Sequence, residues 1–307
     1  MHEHDGGGRA GGGQGVHGGG AVSARLRGIA AQTEQIVAAG RYRAPDGRDV
    51  SLAAEVEAAR AGTRMFGPEP VPVLEAVSAP HPSASAAQPA SGPTAGGPFF
   101  EVTAESSLEA ARRLAGAPVA VLNFASARNP GGGYLNGAQA QEEALCRASA
   151  LYACLLTARR FYDHHRADRD PFYTDRVIHS PGVPVFRDDR GRLLADPFRA
   201  GFLTAAAPNA GVVRRRAPER ITAVPGALAV RAERVLETAA AHGYRRLVLG
   251  AWGCGVFQND PAQVAGAFRA LLGPGGRFTG TFDHVVFGVL DRTPGAVVRE
   301  AFARAFT

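Results

Sequence analysis

Apolar residues between Ala21 and Gly40 recur at the three- and four-residue spacing of one helix face. They are Leu26, Ile29, Ala30, Ile36 and Val37. The pattern predicts an amphipathic helix that Gly40 terminates. A short strand pair is predicted from Tyr42 to Leu52, turned at Pro45-Asp46-Gly47, and a helix over Ala53–Ala61 follows it. Together these elements predict a small N-terminal accessory subdomain.

The segments on either side of this subdomain differ from it in composition. Residues 1–22 contain three Gly triplets and almost no apolar side chains, which predicts a disordered leader. Residues 78–98 are rich in Pro, Ser, Ala and Gly, and we interpret them as an exposed connector. The accessory subdomain and its connector are therefore expected to occupy residues 23–98.

From Phe99 onward, segments that suit strands alternate with segments that suit helices. The apolar run Val119–Phe124 is typical of a strand covered on both faces. The predicted strands are 99–103, 119–124, 175–179, 184–187, 201–205, 247–251 and 283–290, and the predicted helices are 107–115, 138–161, 227–242, 261–271 and 294–306. This alternation predicts an α/β fold, a three-layer domain over 99–307 with its ligand crevice at the carboxyl ends of the strands.

Charge adds a possible ligand class to this picture. The chain carries 34 basic and 28 acidic residues, and all 34 basic residues are Arg, which gives a net charge of +6. Arg pairs bidentately with phosphate, so this charge suits a polyanionic ligand. Codon bias with a solvated surface is the alternative explanation. The run Arg214-Arg215-Arg216, in a predicted loop between Pro208 and Pro218, is the one candidate patch.

Cysteine and histidine usage indicates neither a disulfide framework nor a metal site. Cys146, Cys154 and Cys254 form no C-x-x-C pair and are odd in number, which favours a reducing compartment. No apolar run reaches the ~18 residues of a membrane span, so a cytoplasmic protein without membrane contact is expected. No His/Cys/Asp cluster has zinc-ligand spacing, and His164-His165 are predicted to lie on the surface. No metal or cofactor is expected.

Two glycine-rich loops stand in the same context, directly after an apolar strand and before a helix. The first glycine loop is Asn129–Gly133, and the second glycine loop is Gly250–Phe257, which precedes a helix opened by Asp260-Pro261. At such a place free N–H groups and the positive end of a helix dipole can bind phosphate together. Either loop alone could be an ordinary tight turn. The pair predicts a site that holds a diphosphate from two sides.

Two adjacent carboxylates follow the first glycine loop. After Gly133 and a spacer of seven residues the chain reads Gln141-Glu142-Glu143, at the predicted start of a helix. Carboxylates so placed suit cleavage of a glycosidic bond, where one group protonates a leaving oxygen and activates water. The alternative is that Glu in a first helical turn only complements the helix dipole. Because helix neighbours diverge by about 100°, the two side chains are not expected to be buried together.

These residues carry a specific resemblance. Gly131-Gly132-Gly133, the seven-residue spacer and Gln141-Glu142-Glu143 resemble the signature of poly(ADP-ribose) glycohydrolases, and residues 122–130 resemble its bacterial-type branch. The resemblance extends over roughly residues 20–307. It implies a macrodomain, a three-layer α/β/α fold with a mixed central sheet, here with a small N-terminal helical extension. It also implies a crevice for ADP-ribose.

The resemblance further implies roles for individual residues. Glu143 matches the catalytic acid, and Glu142 matches the neighbour that positions the ribose at the scissile bond. Residues implied in substrate binding are Asn129, Gly131, Gly132, Gly133, Gln141, Gly253, Cys254, Gly255, Val256 and Phe257. Among these, Asn129 would bond the distal ribose and Phe257 would stack on adenine. Thr293, just past the last strand, is expected in a wall that closes over the terminal adenosine.

The function implied is hydrolysis of ribose–ribose bonds in poly(ADP-ribose), exo-acting, with ADP-ribose as product and a place in the DNA damage response. Poly(ADP-ribose) or ADP-ribosylated macromolecules are the expected partners of a monomeric enzyme. Three alternatives stay open. A hydrolase of single ADP-ribose groups on protein or nucleic acid would use the same site. A non-catalytic ADP-ribose reader would not need the Glu pair. A phosphate-ester hydrolase would need a metal cluster or a nucleophile that the sequence does not show.

Overall fold

The computed structural model describes residues 17–73 and 99–307, with side chains from residue 20 onward. The predicted connector at 78–98 and residues 1–16 of the predicted leader lie outside the described residues, within which the chain forms ten α-helices and nine strands. The helices are α1 (His17–Ala39), α2 (Ala53–Gly62), α3 (Ser107–Leu114), α4 (Gln141–Ala148), α5 (Leu151–Leu155), α6 (Arg159–Ala167), α7 (Ala210–Arg216), α8 (Val224–Ala241), α9 (Pro261–Leu272) and α10 (Val297–Phe306). The strands are β1 (Arg41–Arg43), β2 (Asp49–Ser51), β3 (Arg64–Phe66), β4 (Phe99–Thr103), β5 (Val119–Phe124), β6 (Val177–Arg187), β7 (Leu193–Ala205), β8 (Arg246–Gly250) and β9 (His284–Gly288).

The N-terminal elements confirm the predicted helix, strand pair and second helix. Helix α1 begins at His17, inside the segment predicted as the leader, and Gly40 follows it with φ +63°. Strand β3 was not predicted, because three residues give too little pattern to detect. It pairs antiparallel with β6 at the edge of the main sheet. The N-terminal segment therefore contributes a strand to the central sheet, and the division at residue 98 stays a prediction.

The main sheet has seven strands in the order β3-β6-β7-β5-β8-β9-β4. The five strands from β7 to β4 run parallel, whereas β6 and β3 pair antiparallel. Strand β5 lies in the centre, between β7 and β8. The prediction of a mixed sheet is confirmed. Because the five parallel strands share a direction, the loops that follow them meet at one edge of the sheet.

The sheet is covered on both faces, as the apolar run of β5 predicts. Val119 and Val121 pack into the cluster formed with α1 to α6, and Ala120 and Leu122 pack into the cluster formed with α7 to α10. Alternate side chains of a strand point to opposite faces, so β5 divides the two clusters. The three-layer α/β/α prediction is confirmed. After β5 the chain passes to one face of the sheet, and after β8 it passes to the other face. A crevice therefore opens between the loops that follow these two strands.

Three predicted boundaries were wrong. The single helix predicted over 138–161 is three helices, because Ser149 takes an extended conformation and bridges Val185. The strands predicted at 175–179 and 184–187 are one strand, in which Pro181-Gly182 forms a bulge instead of a turn. The Arg run at 214–216 lies in the last turn of α7, not in a loop.

Within residues 17–73 and 99–307, no helix combines the length and apolarity that crossing a membrane requires. The three cysteines are free thiols.

Candidate active site

The first glycine loop leaves β5 at the sheet centre and lies directly over the two carboxylates. Gly131 and Gly132 have φ values of +66° and +58°, a conformation that L side chains rarely adopt. A Cβ on Gly132 would clash with Oε1 of Glu143 and lie 3.2 Å from Oε2 of Glu142. A Cβ on Gly131 would lie 2.9 Å from the ring of Tyr152. The glycines are therefore required by both conformation and space.

Both carboxylates are buried, with Glu142 2% and Glu143 7% exposed. The expectation that these helix neighbours would not be buried together is wrong. The loop after β5 folds back over the start of α4 and covers both side chains at once.

Glu142 is held by donors from the end of β5. The backbone N–H of Ser126 donates to Oε2 at 2.7 Å, and Nδ2 of Asn123 donates to Oε1 at 3.2 Å. Burial raises the pKa of Glu142 to about 8, with a smaller contribution from the neighbouring Glu143 and against the opposing effect of these donors. Glu142 therefore stays largely protonated near neutral pH.

Glu143 differs from Glu142 in having one oxygen uncommitted. The N–H of Gly133 donates to Oε1 at 2.8 Å. No described residue gives a hydrogen-bond partner to Oε2, which is buried. An unpaired carboxyl oxygen in a buried site is costly to maintain, and it is available to accept from or donate to a ligand atom.

Gln141 connects α4 to the neighbouring strand. Its Oε1 accepts from the N–H of Phe124 at 2.9 Å, and its Nε2 donates to the carbonyl of Leu122 at 2.8 Å and to Ser107 Oγ at 3.1 Å. Its amide is thus bonded to the chain while the residue lines a cavity described below. Asn129 is exposed at the edge of the first loop. The predicted substrate contacts of both residues stay predictions.

The second glycine loop follows β8, next to β5, so the structure brings the two loops together. Gly253 has φ +71°, and a Cβ there would meet Ala207 and Asn259. Around Gly255, in contrast, nothing lies within 4 Å of an added Cβ, and Val256 is 81% exposed. Asp260 caps α9 by accepting from the N–H of Ala262 at 2.7 Å, which confirms the predicted helix start.

A cavity of about 460 Å³ lies between the second loop and the loops after β9 and β4. Its walls are largely apolar, with polar groups at the rim. The lining includes Phe124, Gln141, Cys254, Gly255, Val289, Leu290, Asp291, Thr293, Ser106 and Asp189. Burial raises the pKa of the Cys254 thiol to about 12, so this thiol stays protonated. Such a cavity has the size and character of a small-ligand site.

Phe257 lies outside the lining of that cavity, on the β7 side. Its ring is 5.8 Å from the ring of Tyr173. Tyr173 has φ +57°, which is uncommon for a side chain with a Cβ. Sequence reasoning missed Tyr173, because a positive φ in a non-glycine residue leaves no sequence signal. It also misplaced His165, which is buried and bonds Thr174.

Two further residues support the site from behind. Tyr134 follows Gly133 directly, and its hydroxyl donates to Glu34 Oε1 at 3.0 Å on α1. Burial raises the pKa of both groups, so the pair is tightly enclosed. Asn123 is the second buried support, and its polar side chain inside an apolar strand is the signal that would have identified it. Trp252 is buried.

The part of the chain that the structure describes contains no group of three or more His, Cys, Asp or Glu placed to hold a metal ion. The chemical groups at this site are two adjacent carboxyls beneath backbone N–H groups.

One family model and several solved structures are similar to this chain. A model of the catalytic domain of microbial-type PARG matches residues 30–188. The poly(ADP-ribose) glycohydrolase from Thermomonospora curvata is 50% identical, covers 92% of this chain and 100% of its own, and superposes with a TM-score of 0.83. With the inhibitor ADP-HPD bound, the TM-score is 0.81. The poly(ADP-ribose) glycohydrolase from Deinococcus radiodurans in complex with ADP-ribose is 43% identical, covers 83% of this chain and 98% of its own, with a TM-score of 0.70. No curated protein sequence matches.

Proposed function

The chain belongs to the microbial-type poly(ADP-ribose) glycohydrolase family and is a hydrolase of poly(ADP-ribose), and we propose that Glu143 is its general acid and base. The observation that carries this assignment is the uncommitted Oε2 of Glu143 beneath the first glycine loop. Both oxygens of Glu142 already accept hydrogen bonds, from Asn123 and from Ser126. We therefore assign Glu142 a positioning role beside Glu143.

In this proposal ADP-ribose lies across the two glycine loops, at the edge of the sheet. Backbone N–H groups of the two glycine loops hold the diphosphate, and the apolar cavity on the β9 side takes the adenosine end. The distal ribose then lies at the first loop, near Asn129 and Phe257. Since Phe257 does not line the cavity, we assign its ring to this ribose end in place of the adenine predicted from the sequence.

The reaction then proceeds in two proton transfers. Glu143 donates its proton to the leaving 2′-oxygen while positive charge develops on the distal ribose. The resulting carboxylate takes a proton from the water that attacks the anomeric carbon. The raised pKa of Glu142 supports this order, because a neutral Glu142 does not oppose the negative charge that Glu143 gains in the first step. Oε2 is covered by its neighbours, so substrate entry requires a local movement of the loop.

We propose that the enzyme cleaves from chain ends (exo action), because a fixed turn forms one wall of the cavity. Asp291 accepts from the N–H of Thr293 at 2.9 Å and from its hydroxyl at 2.6 Å, and these bonds lower the pKa of Asp291 to about 2. The turn so fixed borders the proposed adenosine end. A polymer that continues from that adenosine would have to pass this wall, which favours chain ends as substrates. A cytoplasmic monomer acting on poly(ADP-ribose) or on ADP-ribosylated macromolecules completes the proposal.

The test measures ADP-ribose released from purified poly(ADP-ribose) by chromatography. We expect the wild type to release single ADP-ribose units from the outset, and Glu143→Gln to lose activity by roughly 10²–10⁴-fold while still binding ADP-ribose. Glu57→Gln, which changes an exposed carboxylate on α2, is the matched control and should retain full activity.

Other outcomes would contradict parts of the proposal. Early release of multi-unit fragments would overturn exo action alone. Full activity in Glu143→Gln would remove Glu143 from the mechanism. Binding of ADP-ribose without any release by the wild type would favour a reader or a hydrolase of single ADP-ribose groups.

A further inference from the structure

We propose that a surface on the β7 side of the two glycine loops binds the polymer unit that remains after cleavage. This leaving-side surface comprises Arg128, Tyr173, Arg214 and Arg220, with the buried ring of Phe172 beneath Arg220. The inference rests on the proposed function, because it needs the scissile bond to lie at the first glycine loop. It adds a second binding region for a phosphate-linked, adenine-bearing chain.

The sheet topology places this surface opposite the cavity. The cavity lies on the β9 and β4 side of the two loops, at Asp291 and Ser106. Phe172 and Tyr173 precede β6, which runs antiparallel to β7, so they lie at the same sheet edge on the other side of β5. Helix α7, which carries Arg214, follows β7 at this edge. A ligand that fills the cavity and crosses both loops therefore continues onto this surface.

The aromatic part of the surface is held in a strained conformation. Tyr173 keeps φ +57° although it is not glycine, and strain of this kind is concentrated at ligand sites. The next residue, Thr174, is fixed by a 2.7 Å bond between its hydroxyl and Nε2 of the buried His165. The backbone strain thus sets the Tyr173 ring beside Phe257 of the second loop, 5.8 Å away.

The cationic part combines guanidinium groups with these rings. Arg128 lies 5.9 Å from the Tyr173 ring centre, and Arg220 lies 4.5 Å from that of Phe172. Arg214 donates to the carbonyl of Gln258 at 2.9 Å, at the end of the second loop. Each polymer unit carries two phosphates and one adenine, and Arg next to aromatic rings is the combination that binds such chains without reading a sequence.

Most of this positive charge is not neutralised by neighbours. Asp170 pairs with Arg220 at 2.8 Å. In residues 17–73 and 99–307, Arg128 and the Arg214–Arg216 run take part in no ion pair. Arg residues in a last helical turn also complement the helix dipole, which would need no ligand. Arg128 directly precedes the first glycine loop, outside any helix, and that explanation does not cover it.

The experiment compares two substrates in the full-length protein. One is long poly(ADP-ribose), and the other is ADP-ribose with a nitrophenyl leaving group, which has no unit to place on this surface. For Arg128→Gln with Arg214→Gln we expect KM for the long polymer to rise about five- to twentyfold and its salt dependence to weaken. KM for the small substrate should stay within about twofold of the wild type. The control pair Arg41→Gln with Arg43→Gln removes the same charge from the β1–β2 hairpin and should change neither value.

Tyr173→Gly tests the aromatic part with the backbone strain relieved, because glycine accepts φ +57° freely. The ring also packs against the core, so we expect a lower melting temperature, a protein still folded at the assay temperature and a raised KM for the long polymer only. Equal effects on both substrates, or none on the polymer, would overturn the leaving-side surface. A wild type inactive on both substrates would instead reject the proposed function.

Discussion

The two glycine loops have the same sequence context but different surroundings. In the first, Gly131 and Gly132 both have positive φ and both press against side chains, Tyr152 on one side and the Glu pair on the other. In the second, Gly250 and Gly253 are confined, whereas Gly255 faces open space and Val256 is largely exposed. The first loop is built around the Glu pair, and the second presents N–H groups with room to adapt to a ligand.

Helix α1 accounts for part of this difference, because it supports only the first loop. The Tyr134 hydroxyl bonds Glu34 on α1, and the hydroxyl of Ser23 donates to the carbonyl of Asn136 at 3.2 Å. Gly137 lies so close to the backbone of Ser23 that a Cβ would clash there. A rigid loop needs an external support, and the N-terminal helix provides it. Three predictions test this contrast.

The largest expected effect comes from adding one methyl group to each loop. Gly132→Ala forces an unfavourable φ and a clash with Glu143, so we expect kcat to fall by roughly 10²-fold or more. Gly255→Ala meets no atom within 4 Å and should change kcat less than about threefold. Steady-state kinetics on poly(ADP-ribose) gives both values. Equal losses in the two variants would show that the loops are equally constrained.

A smaller effect is the dependence of the unfolding free energy on pH. We expect it from Glu142, which lies under the first loop. The pKa of Glu142 is about 8 in the folded state and near 4.5 when the chain is unfolded. The folded state therefore keeps a proton that the unfolded state has released, and its stability decreases as pH rises between these values. The expected loss is about 1.4 kcal/mol per pH unit. Glu142→Gln should flatten this slope in urea unfolding at about pH 5 and about pH 8.

Glu57→Gln is the control for this measurement, since its carboxylate is exposed. It should leave the slope of the wild type unchanged. A wild type whose stability is the same at both pH values would contradict the raised pKa of Glu142.

The smallest effect separates support of the loop from support of the fold. Tyr134→Phe and Tyr42→Phe each delete one buried hydroxyl, and each should cost about 1 kcal/mol of unfolding free energy. Only Tyr134 is joined to the first loop, so we expect only Tyr134→Phe to lower kcat, by about three- to tenfold with KM unchanged. Thermal unfolding and kinetics are measured on both. Parallel losses of kcat would mean that Tyr134 acts through global stability.

The sequence predicted the elements whose pattern is uniform along their length. Strand β5 matches its prediction at both ends, because an apolar run covered on both faces has clear limits. The helix predicted over 138–161 was wrong because Ser149 bridges a strand that is distant in sequence. Arg214–Arg216 appeared to be in a loop because Pro208 and Pro218 enclose it, yet Asn209 caps a short helix there.

The predictions for the site divide in the same way, into those that depend on local pattern and those that depend on tertiary contacts. Local spacing identified the glycine loops and the Glu pair. Contacts that depend on tertiary structure, such as Tyr134 with Glu34 and Tyr173 with Phe257, could not be derived from one sequence. The joint burial of Glu142 and Glu143 also depends on how the first loop folds back over α4.

The bonds that α1 makes with the catalytic half also set an order of assembly during synthesis. Glu34 and Tyr134 are 100 residues apart, and Gln32 and Arg187, which also bond each other, are 155 apart. At translation rates of roughly 5–20 residues per second, α1 waits on the order of 5–30 s for these partners. Helix α1 is thus synthesised well before the residues it docks against, and the first glycine loop is completed only when α1 joins it.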